Sequence, residues 1–110
     1  MTYIPDRGDI VWIQMSPQSG REQAGHRPAF IVSPKAYNGK VGLALMCPIT
    51  SKEKGYPFEV AVGGKTVQGV VLSDQVKSLD WKARGARFEE KVGRAITEEV
   101  LGKITALIRP

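Results

Sequence analysis

One cysteine, one histidine and a shortage of acidic residues set the first limits on this 110-residue chain. Cys47 has no second thiol to pair with, so an internal disulfide is excluded. Its apolar neighbours Leu45, Met46 and Ile49 point to a buried thiol. A single Cys and a single His cannot build a zinc site of the usual kind, and no carboxylate cluster has the spacing of a calcium loop. The glycines form neither a Walker-type phosphate loop nor a dinucleotide fingerprint, so no metal and no cofactor is expected. A Ser-His-Asp hydrolase would need a nucleophile elbow, which is absent. No apolar run approaches the ~20 residues that cross a bilayer. Met1 to Arg7 contains no basic segment followed by an apolar one, so no signal peptide is expected and the cytoplasm is the default compartment.

What remains is an ordinary globular composition, 42% apolar and 25% charged. Without repeats, low-complexity segments or linkers, it reads as one domain over 1–110. Against 16 basic residues stand only 11 acidic ones, a net charge of +5. That balance favours a polyanionic partner, nucleic acid or an acidic protein segment. Arg21, Arg27, Lys35, Lys40, Lys52 and Lys54 fall in or beside expected loops. Loops gathered at one end of a small barrel would pool those charges on one face.

The patterning is mostly that of short strands. Ile10 to Met15 is apolar at nearly every position, as expected for a strand buried on both faces or lying at an interface. Ser16 to Arg27 has no periodicity and reads as a long loop, of the kind that often carries function. Pro28 starts a second strand to Ser33, closed by Pro34. Asn38-Gly39 predicts a turn into a third strand from Val41 to Ile49, and Thr50 to Pro57 a second polar loop. Phe58 to Val62 alternates as a half-exposed strand. Gly63-Gly64 turns the chain into a strand over Thr66 to Leu72. Asp74 to Trp81 fits a strand or a helical turn, Arg84-Gly85 a turn, and Lys91 to Ile96 a weak strand. The one expected helix is terminal, with Thr97 as N-cap, Glu98 and Glu99 near its positive end, and a stripe of Val100, Leu101, Ile104, Leu107 and Ile108. Together these predict a mainly β chain with a C-terminal helix, built as a small, strongly bent sheet or barrel.

Chemistry concentrates in Glu22-Gln23-Ala24-Gly25-His26-Arg27-Pro28, where a carboxylate, an imidazole and a guanidinium share seven residues. By themselves they also fit a charged surface loop. As a set they match the needs of metal-free RNA cleavage, in which the ribose 2′-OH attacks the adjacent phosphate. Glu22 is suited to be the base. Arg27 is suited to clamp the developing phosphate charge, being a poor base but a strong bidentate donor. Thr50 and Ser51 offer hydroxyl groups from the second loop, and His26 a proton.

Several segments in order make the chain resemble the MazF/PemK family of toxin endoribonucleases, or mRNA interferases. They are Pro5 to Trp12, Glu22 to Ala29, Ser33-Pro34 with Tyr37-Asn38, Cys47 to Thr50, Lys54 to Val60, Asp74 to Ser78 and Trp81 to Gly85. The resemblance implies an SH3-like β-barrel with a C-terminal helix, a homodimer, and sequence-specific cleavage of single-stranded RNA to a 2′,3′-cyclic phosphate and a 5′-OH end. It places the family's arginine on Arg27, its hydroxyl residue on Thr50 and its glutamate on Glu22. The family motif leaves the position before the arginine open, so His26 becomes a substrate contact. The leaving oxygen is then protonated by Arg27 or by a bound water.

Gln23, His26, Ser51, Lys54, Lys77 and Arg84 complete the expected RNA-binding set. Also implied is a cognate antitoxin with an acidic, flexible C-terminal segment; no membrane is expected to take part. The first strand and the terminal helix, apolar beyond the needs of a small core, are the expected dimer contacts. Two rivals are a gyrase-poisoning toxin of the same fold and a non-catalytic nucleic-acid-binding barrel. The gyrase poisons end in Trp-Gly-Ile and lack the Glu-and-Arg loop, whereas this chain ends Leu107-Ile108-Arg109-Pro110.

Overall fold

The computed structural model describes residues 2–15 and 26–110; Gln23, the proposed base Glu22 and the rest of 16–25 lie outside the described residues. The elements run β1 (Asp9–Gln14), β2 (His26–Ile31), α1 (Lys35–Val41), β3 (Ala44–Thr50), β4 (Glu59–Ala61), β5 (Val70–Leu72), β6 (Lys77–Leu79), β7 (Arg87–Lys91) and α2 (Arg94–Ile108). They form an antiparallel sheet in the order β4-β5-β3-β2-β1-β7, with β6 beside the first half of β3. This is the mainly β, SH3-like barrel with a C-terminal helix. No helix among the described residues is long and apolar enough to cross a membrane.

β1 is apolar at successive positions because both its faces are buried. Ile10 joins Phe30, Val60, Val71 and Val100 in one core cluster, while Val11 and Ile13 join Ala29, Ile31, Met46 and Trp81 in the other. Both edges of β1 are also paired, to β2 and β7. The apolar excess that suggested a dimer contact in this strand is therefore used inside the chain. The helix differs: Ile96, Val100, Leu101 and Ile104 pack on the first cluster, while Leu107 and Ile108 stay exposed.

Several local expectations are corrected. Asn38-Gly39 is not a turn but the middle of α1, a second helix, so β3 starts at Ala44 and not at Val41. Lys35 and Lys40 thus lie on a helix. Asn38 is fully buried: its amide donates to the carbonyls of Pro5 at 2.8 Å and Ser33 at 3.0 Å, and the Trp81 indole donates to its backbone carbonyl. Those long-range bonds override an Asn-Gly turn signal. Pro28 is the third residue of β2, which begins at His26 and takes Arg27 out of the loop. The strand expected over Thr66 to Leu72 is confined to Val70–Leu72, because Gly69 breaks it at φ +122°. The last strand is Arg87–Lys91, and α2 begins at Arg94 behind Gly93. Thr97 is inside that helix, where its hydroxyl donates back to the Gly93 carbonyl at 3.1 Å. Glu98 and Glu99 accordingly fall beyond the first turn.

Candidate active site

A fork in the sheet creates the cleft. β2 pairs with β3 only where Ala29–Ile31 meets Met46–Pro48. Beyond that point His26 to Pro28 stays with β1, while Ile49 and Thr50 turn to β5. Neither Pro28 nor Pro48 has an N–H to donate to a ladder, and the pairing stops beside them. The opened space is a cleft of about 690 Å³ lined on one side by His26, Arg27 and Pro28 and on the other by Pro48, Ile49 and Thr50.

Of the sequence-predicted residues, Arg27, His26, Thr50, Ser51 and Lys77 line this cleft together. Arg27 is solvent-exposed. The Thr50 hydroxyl oxygen accepts the Lys52 N–H at 3.1 Å, which leaves its own proton for donation. Arg27, Lys52 and Lys77 bring positive charge, and no acidic side chain is among the described lining residues. Such a surface concentrates a polyanion and supplies charge-assisted hydrogen bonds to its phosphates. No three His, Cys, Asp or Glu side chains among the described residues gather as a metal site.

Two expected residues stand elsewhere. The Arg84 guanidinium donates to the carbonyls of Gln14 at 3.1 Å and Met15 at 3.2 Å, fastening the end of β1. Lys54 lies outside the lining; its N–H and that of Gly55 donate to the Glu59 carboxylate at 2.9 and 2.8 Å. Lys103 of α2 also donates to the Pro57 carbonyl, so helix and strand together hold the 51–57 loop.

Lys52, expected only among the pooled loop charges, lines the cleft as well, and sequence reasoning missed Trp12, Gln68 and Gln75. Trp12 was hidden in an apolar strand, yet its indole N–H reaches the Glu89 carboxylate at 3.1 Å and marks a side chain with a polar outlet. Gln68 and Gln75 carried no local signal, since the folds of β5 and β6 against β3 bring them in.

Cys47 is buried, and desolvation, helped by the Asp74 charge, pushes its thiol up to about 12. A thiol so held is a core group and not a nucleophile.

The chain carrying this cleft has relatives among known families and solved structures. The family described as "PemK-like, MazF-like toxin of type II toxin-antitoxin system" matches residues 6–109. The chain belongs to this family. It is 48% identical over 106 residues to the endoribonuclease toxin MazF of Escherichia coli (strain K12), covering 96% of either chain. The crystal structure of MazF from Deinococcus radiodurans superposes with a TM-score of 0.88 at 47% identity, covering 97% of this chain and 98% of that one. A MazE-MazF structure from the same organism gives 0.87 at 42% identity, covering 98% of each.

Proposed function

We propose that the cleft cuts single-stranded RNA, and that the chain is the endoribonuclease toxin of a type II toxin–antitoxin pair acting on mRNA in the cytoplasm without a metal ion. The observation that carries this reading is the convergence of Arg27 from β2 and Thr50 from β3 on one basic lining. Glu22 removes the 2′-OH proton. That oxygen attacks the adjacent phosphorus, Arg27 and Thr50 hold the charge building on the phosphoryl oxygens, and the 5′-oxygen leaves with a proton from Arg27 or a bound water. The products are a 2′,3′-cyclic phosphate and a 5′-OH end. Lys52 and Lys77 bind flanking phosphates, and Trp12 offers an aromatic face to a base.

The antitoxin reading rests on the MazE-MazF relative and on the charge of the cleft, which suits an acidic extended segment competing with RNA. The same reading includes a homodimer, for which the exposed Leu107 and Ile108 of α2 offer apolar contact. The test is incubation of the purified chain with a long single-stranded RNA in EDTA. Site-specific cuts with 5′-OH ends are expected. Intact but retarded RNA would mark a binder, and gyrase inhibition without cuts a poison. Arg27→Ala should lower the rate by about 100-fold or more, as loss of one transition-state donor does, and Glu22→Gln should slow cleavage too. Near-normal rates in either variant would remove that residue from its role.

A further inference from the structure

The strand order has two ends, β4-β5 and β7, and no ladder among the described residues joins them. One side chain does. The Glu90 carboxylate, on β7, accepts the N–H groups of Lys65 at 3.1 Å, Thr66 at 3.0 Å and Val67 at 2.9 Å, and the Thr66 hydroxyl at 2.9 Å. All three residues sit at the tip of the β4–β5 connection, which also closes on itself through Gly64 N–H to Val67 carbonyl at 3.1 Å. Gly64 leaves the room this needs, since a Cβ there would collide with the Glu90 carboxylate. The tip so fixed supplies Thr66, Val67 and Gln68 to the cleft that also holds Arg27 and Thr50.

From this we infer that Glu90 is a positioning residue for substrate: it latches the β4–β5 tip across the barrel seam and so sets one wall of the RNA cleft. The inference rests on the nuclease reading above. Glu90 itself does not line the cleft, so it acts through the tip and not by touching the reacting phosphate. Losing it frees Thr66 and Gln68, with Val67 still buried in the core, while leaving Arg27 and Thr50 on their own strands. The effect therefore belongs in substrate binding more than in the chemical step.

The experiment compares native protein with Glu90→Ala and Glu90→Gln on a short RNA containing one cut site. For Glu90→Ala, KM should rise on the order of tenfold, the equivalent of one lost charge-assisted contact, while kcat changes little. Glu90→Gln keeps one acceptor oxygen and should recover part of the loss. Hydrogen exchange, which needs no RNA, should show the Lys65, Thr66 and Val67 amides losing protection in Glu90→Ala while the β1–β2 amides keep theirs. Unchanged KM in a Glu90→Ala protein, or unchanged exchange at those amides, would overturn the latch. A fall in kcat equal to that in kcat/KM would do so as well. Failure of the nuclease reading would appear separately, as native protein that cuts no RNA.

Discussion

At Gly69 the backbone runs at φ +122°, and a Cβ there would collide with the carbonyl of Thr50. Two separate restrictions thus fall on one residue: a conformation that L side chains rarely adopt, and a contact too close for any side chain. The contact matters because Val70, the next residue, pairs with Thr50 in the β3–β5 ladder. Gly69 is what lets β5 lie against the very residue that brings a hydroxyl to the cleft. Gly69→Ala should cost about 1–3 kcal/mol in backbone strain and shift Thr50 as well. Urea unfolding would show the first, and a fall in kcat exceeding that of a Gly102→Ala control the second. Gly102 has open space around its missing Cβ, so that control should fold normally. A Gly69→Ala protein with native kcat would show that Thr50 is not positioned from β5.

On the level of elements, the segments legible in the sequence were those whose neighbours in the chain decide their state. β1 is a nearly unbroken apolar run, β4 alternates, and the terminal helix was legible from its apolar stripe. α1 was not, because Asn38 and Gly39 are poor helix residues and the reason they are helical lies far away. Asn38 bonds Pro5 and Ser33, accepts from the Ser33 hydroxyl at 2.5 Å, and receives the Trp81 indole on its carbonyl. One buried asparagine therefore joins the N-terminal segment and the link from β2 to α1 through its amide, and the turn before β7 through its backbone carbonyl. The candidate site divides the same way. Arg27 and Thr50 stood out as a guanidinium and a hydroxyl in expected loops within segments that resemble the family, whereas Gln68 and Gln75 reach the cleft only through the sheet order. Asn38→Ala should destabilise the fold by on the order of 2–3 kcal/mol, since it strands buried donors and acceptors. Cleavage by the folded fraction should persist, because Asn38 lines no part of the cleft. Chemical denaturation together with a rate measured well below the transition midpoint would check both halves.

Taken whole, the molecule is a sheet whose two ends are joined by no ladder among the described residues, so charged side chains and pH add to what the apolar core does in closing it. Glu90 is the clearest case: the Thr66 amide, with those of Val67 and Lys65 and the Thr66 hydroxyl, holds its carboxyl down at about 2, from an ordinary 4.5. Asp6 is lowered as well: desolvation opposes the shift, but the Lys35 and Arg7 amides and the Lys91 charge outweigh it. In both the folded form binds its proton less readily than the unfolded one. The stability they contribute is complete above the unfolded carboxylate range and is lost on acidification, for Glu90 as pH falls from about 4.5 towards 2. Tyr3 shifts upward, chiefly by desolvation and then by its hydrogen bond to Asp9, so it stays neutral throughout that window and contributes nothing to the slope. The thermal midpoint should therefore drop steeply across this acid range. Glu90→Gln, which has no proton to gain, should begin less stable at neutral pH and show a shallower decline. Parallel curves for the two proteins would mean that the seam is closed by the apolar core alone.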